Sequence, residues 1–453
     1  MNESVRNLKS REIGRRLLIL PIAPKIIGSI CEEPPAMNDA VLTTRCCVAG
    51  GGPAGMMVGF LLARAGVDVI VLEKHGDFLR DFRGDTIHPS TLNLMHELGF
   101  LEEFLTLPHQ KLYQLEGWIG DTRAPIADFS GLPAPCNFIA LMPQWDFLNF
   151  LAKKGEALPH FKLMMQTEAK DLIIEGDRIV GLSARGQGGD LTIRADLVIA
   201  ADGRHSVLPD RAGLKTIDIG APMDVLWFRL SRQESDDSDT IGRFESGRIL
   251  IRINRGAYWQ CGYVIGKNAY NSLRDRGLDA FRADVAELAG LPRVRLDEIA
   301  SFESVKLLSV SVDRLERWRR PGFLAIGDAA HAMSPVGGVG INLAVQDAVA
   351  AANALAAPLL EGRLSEDHLA AVERRRLFPV SVTQRGQVAI QKMVIARTLR
   401  AKQPIRPPLV LRIVARSAFL RRLLARVLGL GVRPEHIRTP AAQSPGMAEP
   451  AGL

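Results

Sequence analysis

The sequence predicts an α/β fold in which a parallel-sheet domain is interrupted by a mainly antiparallel sheet and followed by a helical segment. Three observations carry this. Residues 44–73 read as strand, glycine turn, helix, strand, acidic end. Residues 217–315 alternate apolar and polar with a period of two. A third stretch, residues 321–355, is a short apolar strand followed by a glycine-rich loop and an apolar helix.

Residues 1–42 read as a poorly ordered extension. Met1 to Arg16 is polar and basic, and the apolar run Leu17 to Ile30 is broken by Pro21, Pro24 and Lys25, too broken for a signal-peptide core. Met37 lies just ahead of the first strand. Hydrophobic residues make up 47% and charged residues 24%, ordinary for a globular chain, and no run of about 18 uncharged, strongly apolar residues predicts a membrane span. The five cysteines are odd in number and irregularly spaced, with no C-x-x-C, which excludes a disulfide framework and predicts a reducing cytoplasm.

The first strand leads into Gly50-Gly51-Gly52-Pro53-Ala54-Gly55. Gly50, Gly52 and Gly55 supply G-x-G-x-x-G: one residue for the tight turn, one for backbone approach to a pyrophosphate, one for helix–sheet packing. The helix that follows aims its free N–H groups and positive dipole end at a phosphate. Glu73, 21 residues after Gly52, stands where a carboxylate bonds the adenosine ribose hydroxyls. The stretch therefore predicts dinucleotide binding.

Next, Ser90 is expected to cap a helix ending near Leu98, with Gly99 as its stop. Arg83, in the loop before it, is either a solvated loop residue or a pyrophosphate partner. Residues 113–141 are irregular and strand-like, and Gln144 to Lys154 is helical in pattern. Residues 168–174, 178–184 and 191–193 read as a small meander, and Ala195 to Ala201 as an apolar strand ending in Asp202-Gly203, a pair that is commonest as a turn. In 217–315, Val225, Trp227 and Arg229 share one sheet face, and Leu226, Phe228 and Leu230 the other. The strand from Phe323 to Ile326 brings Gly327-Asp328 to its carboxyl end, where open α/β sheets bind ligands. The loop through Pro335 and Gly337 to Asn342 then feeds a helix start suited to negative charge.

These three stretches, in this order, resemble the FAD-dependent aromatic hydroxylases, the single-component flavoprotein monooxygenases typified by para-hydroxybenzoate hydroxylase. The resemblance covers about 43–365 and rests on Gly50 to Gly55, Asp202-Gly203, and Gly327-Asp328 with Ala329-Ala330-His331 and Pro335. It implies a glutathione-reductase-type Rossmann FAD domain over 43–112, 142–216 and 316–365, interrupted by a substrate domain over 113–141 and 217–315. It implies that Gly50, Gly52, Pro53, Ala54 and Gly55 cradle FAD, with Glu73 on the adenosine ribose, Arg83 and Gln144 touching FAD, and Asp202 near the pyrophosphate. Gly327 and Asp328 would meet the ribityl chain, and Pro335, Gly338, Gly340 and Asn342 would line the isoalloxazine ring. The family's chemistry implies NAD(P)H as co-substrate and transfer of oxygen through a flavin C4a-hydroperoxide, hydroxylating or epoxidising an aromatic or quinone-like small molecule. Where the family usually has arginine seven positions after the aspartate, this chain has Pro209, with Arg211 two residues later. Other flavin enzymes on the same fold are a halogenase or a prenyl-chain reductase. A halogenase's W-x-W-x-I-P is missing, since none of Trp118, Trp145, Trp227, Trp259 and Trp318 has a tryptophan two residues away. A non-catalytic carrier of the Rab-escort type would not need the intact Gly327-Asp328. For the substrate-side proton acceptor the sequence names no residue; Tyr258, Tyr263, Arg229 and His88 are candidates by location only.

The end of the chain is basic. Residues 374–438 hold sixteen Lys or Arg against one acid, Glu435, a local balance of +15 that leaves −8 for the rest of a chain whose net charge is +7. A helical segment is expected over 366–440 and a disordered tail over 441–453. From Leu409 to Leu430 apolar residues recur at three- and four-residue steps, which predicts an amphipathic helix or helix pair. It is either a cover on the flavin domain with arginines in solvent, or a contact with an anionic membrane surface. A nucleic-acid partner is not expected, because the run lacks stacking aromatics apart from Phe378 and Phe419.

Overall fold

Parallel strands need both faces covered, and the first sheet meets that condition. In the computed structural model, which describes residues 40–79, 86–133, 135–236 and 240–442, the strand Ala40–Ala49 pairs in parallel with Gly189–Ala200 on one side and Val69–Leu72 on the other. Phe323–Ala325 and Phe161–Met164 extend it at either edge, also in parallel. Cys46, Cys47, Val48, Leu197, Val198 and Ile199 are all fully buried, as strands covered on both faces require. The covering helices are Pro53–Arg64 and Gly340–Leu360, the latter the central helix of the core. The stretch Val336–Leu360 is long and apolar enough to cross a membrane, yet 78% of its apolar 18-residue window is buried inside the protein.

Three local expectations change. The first strand begins at Ala40, inside the expected extension. The helix after the Glu73 loop starts at Pro89 with His88 as its N-cap, because proline suits the first helical position, and Ser90 falls inside the first turn. Gly99 is its left-handed stop, at φ 73°. Residues 191–193 and 195–200 are one strand, antiparallel to Arg178–Gly186 at its start and parallel to the first strand throughout.

The second sheet holds seven strands. Its antiparallel centre is Met223–Ser231, Tyr258–Gly266, Arg248–Asn254 and Ile241–Glu245, and Gln114–Ile119 joins its edge in parallel with Ile241–Glu245. As the alternation predicts, its two faces pack separately. Leu226, Phe228 and Leu230 meet the helix Leu278–Ala289, while Val225 and Trp227 meet Val336, Ile395 and Leu399.

The tail is a helix pair, Leu409–Arg416 and Ala418–Gly429, preceded by the long helix Glu366–Ile390. Not all of its arginines are in solvent. Arg376 is fully buried, and Glu435 nearly so. Residues 441–442 are placed as well, with the Ala442 N–H donating to the Arg64 carbonyl at 2.8 Å. The expectations for residues 1–39, for Arg83 and for 443–453 lie outside the described residues. Among the described residues the four cysteines are buried and free.

Candidate functional site

The first strand ends at Ala49, and Gly50 turns the chain at φ 106°, a conformation that strains any side chain. A Cβ on Gly50 would lie 2.5 Å from the Ala201 carbonyl oxygen, and one on Gly55 would lie 1.9 Å from the Gly50 carbonyl oxygen. At Gly52 the nearest atom would be 3.8 Å away. The outer two glycines are thus required by the protein itself, whereas the middle one keeps open the approach to the helix N-terminus at Pro53 and Ala54. That is where a pyrophosphate would be held.

Around this turn the other predicted residues collect. Glu73, at the end of the second strand and buried, accepts from the Gly51 N–H at 3.2 Å and the His75 N–H at 2.9 Å, which orients its carboxylate beside the glycine turn. Asp202 follows Gly189–Ala200, the neighbour of the first strand, and burial raises its carboxyl pKa. Gly327, at φ 59°, brings three elements together: an added Cβ would lie 3.0 Å from that of Ala54 and 3.2 Å from that of Ala344. Asp328 beside it accepts from Arg204 at 3.2 Å.

Arg204 was not singled out from the sequence, although an arginine directly after Asp-Gly is a visible signal. It is the inward-facing arginine of this loop. Arg211 lies at the surface, 3.9 Å from Asp171. Arg204 Nη1, Asp202 Oδ1 and Ser206 Oγ are buried polar atoms without a protein partner. Three such atoms on one loop at the carboxyl end of the sheet are costly unless a polar ligand satisfies them. A dinucleotide, which carries both phosphate acceptors and hydroxyl donors, fits this mixed set of donors and a carboxylate acceptor.

The loop after Pro335, the expected ring contact, is tightly built. Gly337 and Gly338 both have positive φ, and a Cβ on Gly338 would lie 2.4 Å from Thr86 Oγ1. Gly340 opens the central helix. The Asn342 side chain acts as a tie: it accepts from the His88 N–H at 2.9 Å and Thr91 Oγ1 at 2.8 Å, and donates to the Thr86 and Gly338 carbonyls. Gln144 is the first residue of the helix Gln144–Glu156 and is half-buried.

The proton-acceptor candidates separate. Tyr263 lies on the sheet face turned away from the ring loop, against Phe281, with its hydroxyl donating to Asp284 at 3.3 Å. Arg229 stacks on Tyr258, 4.6 Å from the ring centroid. His88 is fully buried; its Nδ1–H donates to the Leu428 carbonyl at 2.8 Å, and Nε2 has no partner. Burial, offset only in part by that bond, lowers its pKa to about 4, so the ring is neutral.

Behind Gly327-Asp328 lies a buried charge network that sequence reasoning missed. Asp347 accepts from His331 Nε2 at 2.5 Å, from Arg376 Nε at 2.8 Å and from the Gly327 N–H at 3.1 Å. Arg376 also reaches Glu435 at 3.3 Å, and Arg375 does so at 2.6 Å. Burial would push the Asp347 carboxyl up, but His331 and Arg376 outweigh it and hold its pKa below the usual carboxylate range. The signal available in the sequence was Glu435, the lone acid of the basic tail.

Known proteins resemble this chain. Residues 43–386 match the family model described as "FAD binding domain". The chain is 33% identical over 394 residues to the 6-methylpretetramide 4-monooxygenase of Streptomyces rimosus, spanning 85% of this chain and 92% of that one. It is 25% identical over 337 residues to the protoasukamycin 4-monooxygenase of Streptomyces nodosus subsp. asukaensis, spanning 71% and 81%. Among solved structures, the p-nitrophenol 4-monooxygenase PnpA of Pseudomonas putida DLL-E4 superposes with a TM-score of 0.70 at 18% identity, over 85% of this chain and 97% of that one. With the glycine turn, the Asp-Gly loop and the Gly-Asp loop converging on one sheet edge, this chain belongs to the FAD-dependent aromatic hydroxylase family and is a flavin monooxygenase-type enzyme.

Proposed function

We propose that the enzyme uses NAD(P)H and O₂ to hydroxylate or epoxidise a fused-ring aromatic of the polyketide or quinone type. The observation that carries this is the 33% identity to a relative named for a 4-monooxygenase reaction on 6-methylpretetramide, of which this chain covers 92%. The apolar face of the second sheet backs the loop after Pro335, with Met223, Val225 and Val264 buried in one cluster with Trp227 and Val336. Bound flavin supplies the redox and oxygen chemistry. The chain's own part is to hold it, through the glycine turn, Glu73, Asp202, Arg204 and Asp328, to orient the substrate and to keep water out.

Two measurements test this. NAD(P)H oxidation by the holoenzyme is expected to be slow alone and to accelerate with a suitable member of a panel of phenols, quinones and tetracyclic aromatics, with one labelled oxygen from ¹⁸O₂ in the product. Acceleration without label, or a halide-dependent product, would replace the monooxygenase reading by reduction or halogenation. Asp328→Ala is expected to weaken FAD retention by about 1.5–3 kcal/mol, the loss of one hydrogen bond to a charged group. FAD held by the variant as tightly as by the parent would remove Asp328 from the assigned set.

A further inference from the structure

The two tail helices present the same surface twice. On Leu409–Arg416, Leu409, Val410 and Ile413 are 68, 64 and 50% exposed; on Ala418–Gly429, Phe419, Leu423 and Val427 are 73, 47 and 44% exposed. Arg412 and Arg416 on the first helix, and Arg422 and Arg426 on the second, are exposed as well. Counting from Leu409 or from Phe419, an arginine comes three residues on, an apolar residue four on and an arginine seven on. At helical spacing this makes an apolar ridge with arginines along one edge. The opposite sides do the packing. Val414 and Ala425 are buried, and Leu424 and Leu428 pack against Phe129 and Leu132. The outward ridges are therefore not needed to hold the tail in place.

We propose that these helices dock the enzyme on an anionic lipid bilayer, the ridges entering the headgroup–acyl boundary and the arginines meeting lipid phosphates. Residues 374–434 contain fifteen Lys or Arg and no Asp or Glu, so nothing in the segment opposes an anionic surface. A nucleic acid would use the arginines but leave the apolar ridges wet, and the helix pair offers only Phe419 for stacking. A second copy joined across a two-fold axis would set arginine against arginine. A bilayer alone rewards both halves of the pattern. The docked helix also backs the ring loop. Leu428 lies 3.4 Å from where a Cβ on Gly337 would be, and its carbonyl holds His88. Delivery of a lipophilic aromatic from the membrane to that loop rests on the function proposed above; the docking itself does not.

The test is flotation of the full-length, flavin-loaded chain with phosphatidylcholine vesicles, with and without phosphatidylglycerol, at low and high salt. Binding is expected only to the anionic vesicles and to fall with salt. Phe419→Ser/Leu423→Ser and Arg422→Glu/Arg426→Glu, both on exposed positions, are each expected to lower the partition coefficient by at least about tenfold. Unchanged flavin absorbance and circular dichroism show that the variants are folded. The proposal falls if the parent stays off anionic vesicles, or if both variants bind as it does. It falls equally if light scattering finds a dimer that Phe419→Ser/Leu423→Ser dissolves, or if co-purifying nucleic acid accounts for the charge.

Discussion

Arg376→Met should destabilise the enzyme by about 3–5 kcal/mol, the cost of removing one partner from a buried ion pair. The substitution keeps much of the side-chain volume, so the loss is electrostatic. Arg376 is fully buried and bridges Asp347 and Glu435. Without it, Asp347 keeps only His331 and the Gly327 N–H, and Glu435 keeps Arg375. Urea unfolding followed by circular dichroism measures the change, and flavin retention gives a second readout because Gly327 belongs to the same network. A loss below about 1 kcal/mol, the scale of a surface pair, would show that the network is solvated.

The second large effect is a pH dependence carried by His88. The folded protein keeps this imidazole neutral down to about pH 4, whereas the unfolded chain takes up a proton near the ordinary 6.5. Between these values the unfolded state binds more protons, so stability falls as pH falls, and nothing is lost above about pH 7. A shift of that size corresponds to a loss on the order of 3 kcal/mol by pH 4. His88→Gln should remove this part of the slope. The measurement is the difference between the two proteins' unfolding free energies from pH 7 to pH 4, and a flat difference would show that water reaches the ring.

Elements whose cause is local were legible in the chain. Gly50 and Gly55 announce their turn because backbone geometry at φ 106° and a 1.9 Å clash leave no other residue type at those two positions. The strands around them are uniformly apolar because both sheet faces are covered. The alternation of Leu226, Phe228 and Leu230 against Val225 and Trp227 likewise reports two real faces. What the sequence did not show depends on distant partners. Arg376 looks like its exposed neighbours until Asp347 and Glu435 surround it. The Asn342 amide bonds Thr86, His88, Thr91 and Gly338, partners brought to it only by tertiary packing. Arg204 gained its place only when Asp328, 124 residues later, came within reach. The tail's periodicity was plain, but which side of each helix would face inward was not, since both sides carry leucines.

The Glu435–Arg376–Asp347 link also has a bearing on biosynthesis. The glycine turn is made at residues 50–55, but the counter-charge steadying the Gly327 loop from behind, through Arg376 and Asp347, is supplied only at residue 435. A nascent chain can form most of the first sheet and still lack that support. A chain truncated shortly before residue 435 would keep nearly all of the catalytic framework without the clasp that closes it.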